Sequence, residues 1–196
     1  MRIIAGTARA TRLQSLPDPA LRPMLDRVKE PLFAILRHLL EDARVLDLFS
    51  GSGALGLEAL SRGARSCVFV EQDGALVRLI GRNAERCRMT DRCEIVRADA
   101  LALSPLPYRI EGVPADIVLV DPPYALVDEE AGRRRLFGVL EALVGGWIRP
   151  TAVLALHHRP MEPAGWPSER FAEWDRRVYG HSQLTFLEVS QEAADE

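Results

Sequence analysis

Residues 44–56, Arg-Val-Leu-Asp-Leu-Phe-Ser-Gly-Ser-Gly-Ala-Leu-Gly, contain the pattern that decides the fold: a short apolar strand, a glycine loop and the start of a helix. Glycines such as Gly51 and Gly53 let the backbone approach a ligand closely, and the helix that begins near Gly53 offers unpaired N–H groups. Glu71 follows Gly51 by 20 residues, where an acid that binds ribose hydroxyls belongs. The segment therefore predicts a site for a cofactor that contains a nucleoside.

The cofactor class depends on Asp47, which lies near the end of the strand and four residues before Gly51. A pyrophosphate gains nothing from a negative charge at this loop. S-adenosylmethionine carries a sulfonium and an ammonium group, so nearby carboxylates favour it electrostatically. Asp47 alone could equally be a helix-capping carboxylate, but in combination with Glu71 and Asp121 it predicts S-adenosylmethionine rather than a dinucleotide.

From Arg44 onward, apolar strands and helical patterns alternate along the chain. The predicted strands are 44–49, 66–71, 93–97, 115–121 and 151–157, and the predicted helices are 53–61, 73–88 and 129–145. Strands that are apolar throughout are covered on both faces, so we predict an α/β fold with a doubly wound parallel sheet. Ligands of such sheets lie at the carboxyl ends of the strands. Four acids fall there: Asp47, Glu71, Asp99 and Asp121.

The segment Asp121-Pro122-Pro123-Tyr124 follows the apolar run 116–120 and predicts methyl transfer to nitrogen. The lone pair of an exocyclic or amide nitrogen is delocalised, so the amine must be held before it can attack a methyl group. Prolines donate no backbone hydrogen bond, which leaves neighbouring carbonyls free for an amine, and Asp121 is a second acceptor. Tyr124 can stack on the ring that carries the amine. A structural turn that closes a buried strand is the alternative for these four residues taken alone.

The amino-terminal part has its own pattern. Residues 2–4 and 11–13 predict a hairpin through a turn at Gly6, and a proline-rich segment follows. Apolar residues then recur with helical spacing, which predicts a core-facing helix from about residue 27 to 40 that starts near Arg27 or Lys29 or kinks at Pro31. Asp26 lies at the entrance of this helix, as an N-cap or near the cofactor. Two segments near the carboxyl terminus, 174–178 and 184–189, predict a second hairpin through Gly180.

These motifs resemble the RsmD-type methyltransferases, which modify the N2 amine of a guanine in small-subunit ribosomal RNA. The resemblance spans nearly the whole chain and includes Arg2-Ile-Ile-Ala-Gly6, Leu21-Arg-Pro23, Asp26-Arg-Val-Lys-Glu30, Asp47-Leu-Phe-Ser-Gly-Ser-Gly53, Asp121-Pro-Pro-Tyr124 and Tyr179-Gly180. It departs from the family at Met24-Leu25, where two threonines are usual, and at Arg9-Ala10-Thr11-Arg12, where Arg-Gly-Arg is usual. These departures bear on the choice of RNA substrate.

The resemblance implies a Rossmann-like sheet with an antiparallel terminal strand and an S-adenosylmethionine-dependent enzyme that acts on 16S ribosomal RNA or the assembling 30S subunit. Asp121, Pro122, Pro123 and Tyr124 are the expected catalytic residues. The expected cofactor contacts are Asp47 to the ammonium group, Glu71 to the ribose and Asp99 with Ala100 to the adenine. The loop Phe49, Ser50, Gly51, Ser52 and Gly53 is expected to hold the methionine end, with Asp121 nearby. The predicted divisions are 1–40 as an extension, 41–190 as the methyltransferase domain and 191–196 as a frayed tail.

Charge is distributed unevenly over the 196 residues, whose formal net charge is −3. Residues 1–37 contain seven basic and three acidic side chains, a local balance of +4, so the remainder sums to −7. A basic amino-terminal face on an acidic body is typical of an enzyme that docks locally on RNA, although solvated arginines would give the same count. Together with the resemblance it predicts RNA contacts by Arg9, Arg12, Arg22, Arg27 and Tyr124.

Composition excludes several classes of protein. No apolar stretch approaches the roughly 18–20 residues that span a bilayer, so we expect a cytoplasmic protein without membrane contact. Three cysteines without a CxxC pair suggest neither disulfides nor zinc. Adjacent His157 and His158 would face opposite sides of a strand, so we expect no metal site and a cap or surface role for these histidines. Two other functions remain open: N-methylation of DNA adenine or a protein glutamine, and a non-catalytic nucleotide- or RNA-binding module.

Overall fold

The computed structural model of the protein describes residues 1–16, 24–103, 112–161, 166 and 168–190. Seven strands form one sheet in the order β3-β2-β1-β4-β5-β7-β6. The first five are parallel, whereas β7 is antiparallel to both β5 and β6. The strands are β1 Arg44–Leu48, β2 Ser66–Glu71, β3 Cys93–Arg97, β4 Ala115–Val120, β5 Ile148–His158, β6 Phe171–Tyr179 and β7 Ser182–Val189. The predicted doubly wound sheet with an antiparallel end is confirmed.

Helices cover both faces of the sheet. They are α1 Asp26–Ile35, α2 Ala54–Ser61, α3 Gly74–Cys87, α4 Tyr124–Asp128 and α5 Glu130–Leu143. Apolar side chains of α1, α2 and α3 pack in one cluster on one face of the sheet. Side chains of α4 and α5 pack in a second cluster on the other face. Both faces of β1, β2 and β4 are therefore buried, which is why their sequences are mostly apolar, whereas the edge strand β3 is only partly buried and carries Glu94 and Arg97.

Two helices differ from the prediction. Helix α1 ends at Ile35 and continues only as a 3-10 turn, Leu36–His38, and it contains Pro31 as its sixth residue rather than in its first turn. Its N-cap is Leu25, so the interpretation of Asp26 as the N-cap was wrong. The second difference is at Tyr124, which we expected in a turn and which is the first residue of the short helix α4.

The amino-terminal extension forms the expected hairpin as an antiparallel bridge between Arg2 and Arg12. The hairpin is fixed to α2 by Glu58, a fully buried acid whose carboxylate accepts hydrogen bonds from the backbone N–H groups of Ile4 and Ala5 at 2.8 and 3.0 Å. The ammonium group of Lys29, also buried, lies 3.2 Å from Glu58 and donates to the Arg2 carbonyl at 2.7 Å. Because each partner of this buried pair is satisfied, the pair joins the hairpin, α1 and α2.

Gly6 lies where the hairpin approaches the end of α2 most closely. Its φ is +84°, and a Cβ there would lie 1.7 Å from the Ser61 carbonyl oxygen. That oxygen accepts a hydrogen bond from the Thr7 N–H at 2.8 Å, so the two segments cannot separate without losing it. A side chain at position 6 would therefore combine backbone strain with a steric clash.

We expect Gly6→Ala to lower the free energy of unfolding by about 1–3 kcal/mol or more, measured by urea denaturation. Gly81→Ala is the matched control, because Gly81 lies inside α3 and a Cβ there meets no atom within 4 Å. The control should raise the free energy of unfolding by about 0.5–1 kcal/mol. Equal stability of the two variants would contradict the close approach at Gly6.

Candidate active site

The carboxyl ends of the parallel strands open into one cavity of about 660 Å³, a volume in the usual range for small-molecule sites. Strands β1 and β4 are neighbours although they are distant in sequence, and ligands of doubly wound sheets bind at such a switch point. Twelve predicted site residues line the cavity: Asp47, Phe49, Ser50, Gly51, Ser52, Glu71, Asp99, Ala100, Asp121, Pro122, Pro123 and Tyr124.

Gly53 is the predicted cofactor residue that does not line this cavity. It is the N-cap of α2 with φ +78°, and a Cβ there would lie 3.1 Å from Ile80. The loop before it is bent by left-handed residues at Phe49 and Gly51, with φ of +60° and +57°. The Ser50 hydroxyl donates to the Asp47 carbonyl oxygen at 2.6 Å, which holds the loop against the strand end. Gly53 therefore fixes the backbone shape of the loop but does not itself line the cavity.

Asp47 is almost fully buried at the end of β1. One carboxylate oxygen, Oδ2, accepts the Gly56 N–H at 3.0 Å, and the other, Oδ1, is buried with no hydrogen-bond partner among the described residues. The pKa of Asp47 is raised to about 8, chiefly by burial and in smaller part by the negative charges of Asp121 and Glu71, while the Gly56 N–H opposes the rise. A cation in the cavity would relieve this repulsion, whereas a pyrophosphate would add to it.

Glu71 and Asp99 both accept backbone hydrogen bonds at the ends of β2 and β3. Glu71 accepts the N–H of Gly51 and of Asp73, each at 2.9 Å, one on each carboxylate oxygen. Asp99 accepts the Leu101 N–H at 2.9 Å and lies 3.8 Å from the Arg135 guanidinium. Glu71 therefore fixes the glycine loop itself, and each of its oxygens keeps a lone pair for a further donor.

The Asp121 carboxylate is held by a histidine that the sequence places in a cap or surface role. His157, at the end of β5, is buried, and its Nδ1 lies 2.7 Å from Asp121 Oδ1. Because an ionised carboxylate only accepts, the His157 Nδ1–H is the donor, and Nε2 faces the Tyr124 hydroxyl at 3.4 Å. The expected cap or surface role of His157 was wrong, since its side chain is buried and lines the cavity.

His158 lies on the opposite side of β5, as the alternation of strand side chains requires. Its Nε2 lies 2.9 Å from the Thr185 hydroxyl, and its Nδ1 lies 2.6 Å from the carbonyl oxygen of Arg159. Burial lowers the pKa of His158 to about 4, so the ring is neutral near pH 7. The adjacent histidines therefore do different things: His158 packs in the sheet, and His157 positions a carboxylate.

Residues of the amino-terminal extension form one wall of the cavity. Met1, Ser15, Leu16, Met24 and Lys29 line it, so the atypical Met24 touches the site while Leu25 is exposed. Asn83 of α3 holds this wall: its amide group accepts from the Gln14 N–H at 2.8 Å and donates to the Ser52 carbonyl at 3.0 Å. The extension and the glycine loop are thus fixed to one side chain.

The predicted RNA-contacting arginines are not all in one place. Arg9 and Arg12 are exposed on the hairpin, whereas exposed Arg27 on α1 reaches toward Gly180 in the β6–β7 turn. Arg22 and the tail 191–196 lie outside the described residues. At the mouth of the cavity, the Arg159 guanidinium lies over the Tyr124 ring at 5.0 Å. Tyr124 is thus flanked by a cation on one side and His157 on another.

Comparison with known proteins assigns the family. Residues 1–188 match the family model described as "Conserved hypothetical protein 95". Ribosomal RNA small subunit methyltransferase D of Escherichia coli K12 is 34% identical over 180 residues, 87% of this chain and 83% of that protein. The chain belongs to the RsmD family of methyltransferases. A putative rRNA methyltransferase of Bacillus subtilis, YlbH, is 36% identical over 125 residues, 63% of this chain and 67% of that protein.

A solved structure described as a putative methyltransferase, yhhF, from Escherichia coli agrees with the fold of this RsmD-family chain. Its TM-score is 0.78 at 30% identity, and the match covers 97% of this chain and 98% of that one. The predictions of a methyltransferase and of S-adenosylmethionine as its cofactor are confirmed. The site fits that cofactor, because the unpartnered Oδ1 of Asp47 and the nearby acids suit a cationic ligand.

Membrane spans and metal clusters are both missing from the described part of the chain. No helix within the described ranges is long and apolar enough to cross a membrane. The same ranges contain no group of three or more His, Cys, Asp or Glu side chains that could hold a metal ion.

The raised pKa of Asp47 predicts a pH dependence of stability. Its contribution to the free energy of unfolding is complete below the unfolded pKa of 3.8 and is lost as the pH rises through about 8, since the unfolded chain ionises first. Asp47→Asn cannot titrate but keeps an acceptor for the Gly56 N–H. In urea denaturation, the stability of the wild type relative to Asp47→Asn should fall between about pH 4 and about pH 8. A constant difference would show that Asp47 is ionised throughout.

Proposed function

We propose that the protein transfers a methyl group from S-adenosylmethionine to the exocyclic N2 amine of a guanine in small-subunit ribosomal RNA. The observation that carries the proposal is the Asp121 carboxylate, held by His157 beside Tyr124 at the edge of an acid-lined cavity. The substrate class is supported by the family, several of whose members are named small-subunit ribosomal RNA methyltransferases.

The cofactor supplies an electrophilic methyl group, and the residues of the cavity orient it. Asp47 would face the ammonium group, and residues 49–52 would surround the methionine end. Glu71 would accept from the ribose hydroxyls with the lone pairs that Gly51 and Asp73 leave free. Asp99 and the Ala100 N–H would bind the adenine.

The target amine is held by acceptors that this chain supplies. Asp121 Oδ2 has no hydrogen-bond partner among the described residues, so it is free to accept one amine N–H. The Pro122 carbonyl accepts the other, and Tyr124 stacks on the base. With both hydrogens occupied, the nitrogen lone pair would be directed at the methyl carbon, and a near-attack separation of about 3–3.5 Å would let positioning provide most of the acceleration.

The proton leaves after the bond forms. When the nitrogen lone pair takes the methyl group, the electrons of the broken C–S bond would go to sulfur, and the nitrogen would carry a positive charge. Its N–H then loses a proton to Asp121, to which it is already hydrogen-bonded. His157 holds Asp121 in place through Oδ1, so the accepting oxygen Oδ2 keeps its direction. A positioned carboxylate of this kind suffices without a metal ion.

The extension 1–40 supports this reaction as part of the site, and residues 41–190 form the domain that carries the cofactor and amine contacts. Lys29 is buried against Glu58, and Met24 lines the cavity. The extension thus stands where an incoming guanine must pass. The cytoplasmic location stays a prediction.

The acceptor is tested by incubating the protein with labelled S-adenosylmethionine and, separately, small ribosomal subunits, naked small-subunit RNA, duplex DNA and a glutamine-containing protein. Nucleoside mass analysis should identify N2-methylguanosine in the RNA. Label on DNA adenine or on glutamine would show that the acceptor is not RNA, although the reaction would still be methyl transfer to nitrogen. Failure to bind the cofactor in calorimetry would favour a non-catalytic binding module.

Removing the Asp121 side chain should stop the reaction without emptying the cofactor site. We expect Asp121→Ala to lower kcat by at least about 100-fold, because the amine loses its acceptor, while the calorimetric Kd for the cofactor changes little. An equal loss of turnover and of cofactor affinity would show that Asp121 is chiefly a cofactor ligand.

His157→Ala should lower kcat on the order of 100-fold, because Asp121 loses its positioning hydrogen bond. His157→Asn offers an N–H in place of Nδ1–H and should recover part of the rate. His181→Ala is the control, since His181 is exposed in the β6–β7 turn. Wild-type kcat in His157→Ala, or no recovery in His157→Asn, would contradict the positioning role.

A further inference from the structure

Helix α3 carries a row of arginines that no site described above uses. Arg78, Arg82 and Arg86 are exposed and four residues apart, so they lie on one face of the helix at intervals of about 6 Å along its axis. Arg12 of the hairpin lies beside them, because its carbonyl oxygen accepts a hydrogen bond from Arg86 Nε at 3.1 Å. We call these four residues the arginine ridge.

We propose that the arginine ridge is a docking surface for the phosphate backbone of the RNA substrate. The proposal rests on the proposed function and extends the RNA-contacting surface from the hairpin onto α3. A phosphate backbone is the partner that fits, because it presents regularly spaced anions that guanidinium groups bind in a bidentate manner.

The charges of the ridge are not neutralised within the described part of the protein. Nine other arginines in the described ranges form ion pairs with carboxylates, whereas none of the four ridge arginines does. Two acids lie on or beside the same helix: Asp73, which caps α3 and feels the charge of Arg78, and exposed Glu85. Neither forms an ion pair with the ridge in the described residues, so the positive charge faces solvent.

Two of the guanidinium groups are already oriented. Arg82 donates through Nε to the Gln14 side-chain oxygen at 3.0 Å, and Arg86 donates through Nε to the Arg12 carbonyl. Their Nη groups donate to no described residue. Since Nε is fixed and the two Nη groups remain open, each fork loses less conformational entropy when it binds a phosphate.

The ridge is also joined to the cofactor loop. Asn83, between Arg82 and Arg86, is fully buried and bonds both to Gln14 and to the Ser52 carbonyl. Ser15 and Leu16, which follow Gln14, line the cavity. RNA bound along the ridge would therefore run beside the segment that forms the wall of the active site.

The test compares two double variants with equal loss of charge. Arg82→Gln with Arg86→Gln removes two ridge cations. Arg65→Gln with Arg149→Gln removes two arginines that are paired with Asp42 and Asp116 near the amino-terminal ends of the parallel strands. The binding of naked small-subunit RNA is measured over a series of KCl concentrations, and cofactor affinity is measured by calorimetry.

The ridge variant should bind RNA on the order of tenfold more weakly, and the slope of log K against log [salt] should become shallower by about 0.7–0.9 for each phosphate that the variant no longer neutralises. The control variant should match the wild type, and both should bind the cofactor normally. Arg82→Lys with Arg86→Lys, which keeps the charge without the planar fork, should retain the salt slope with weaker binding.

Two failures are distinguishable. If the wild type binds and methylates the RNA and the ridge variant has the same affinity and salt slope as the control, the ridge is not a docking surface, although the proposed function stands. If the wild type neither binds nor methylates small-subunit RNA, either naked or in small ribosomal subunits, the proposed function is wrong and the docking surface is wrong with it.

Discussion

The buried carboxylate of Asp47 is the constraint on which the rest of the site depends. Its hydrogen bond from the Gly56 N–H ties the first turn of α2 to the end of β1, and a Cβ on Gly56 would lie 2.3 Å from the Phe69 ring. The helix can approach the strand only because residue 56 is glycine. The same carboxylate leaves one oxygen without a partner among the described residues, beside the cavity. Asp47 therefore affects both the fold and the preference for a cationic cofactor. Its unpaired buried oxygen lowers the stability of the folded state until a cation is near.

The amino-terminal extension forms a wall of the cavity that lies at the carboxyl ends of the parallel strands. Strand ends alone provide acids, but the far wall comes from residues that precede β1. Two buried polar groups fix that wall: Glu58, which binds Lys29 and the hairpin backbone, and Asn83, which binds Gln14 and the cofactor loop. Because partners are satisfied on each side, the wall has a defined position relative to the cavity. A substrate group that reached Asp121 would therefore meet the extension and the cofactor loop as one surface.

The sequence predicts local structure and strand-end acids well, because both depend on neighbours in the chain. Periodicity placed the parallel strands to within a few residues, and the glycine loop marked the cavity. His157 could not be found this way, since its partner Asp121 is 36 residues away and the two meet only because β4 and β5 pair in parallel. The alternation rule correctly separated His157 from His158, yet it does not say which side of β5 faces the site. The buried ion pair between Lys29 and Glu58 could not be predicted for the same reason. In a sequence, a buried charge on a helix looks like a surface charge until its partner is known.

The small net charge of −3 includes two oppositely charged regions, the acidic cavity and the exposed arginines of α3 and the hairpin. Glu71 and Asp121 make the cavity negative, and Asp47 adds its charge when a bound cation offsets the burial that raises its pKa. This field favours a cationic methyl donor and would repel the phosphates of an RNA substrate. An enzyme of this kind must therefore hold the RNA backbone away from the cavity and admit only a base. On the proposed docking, the arginine ridge, which forms no ion pair within the described residues, would attract the RNA backbone at a distance from these acids, and Tyr124 would offer its ring to the base. Because the two charges are separated in space, the cofactor and the polyanion can be bound together without neutralising each other's sites.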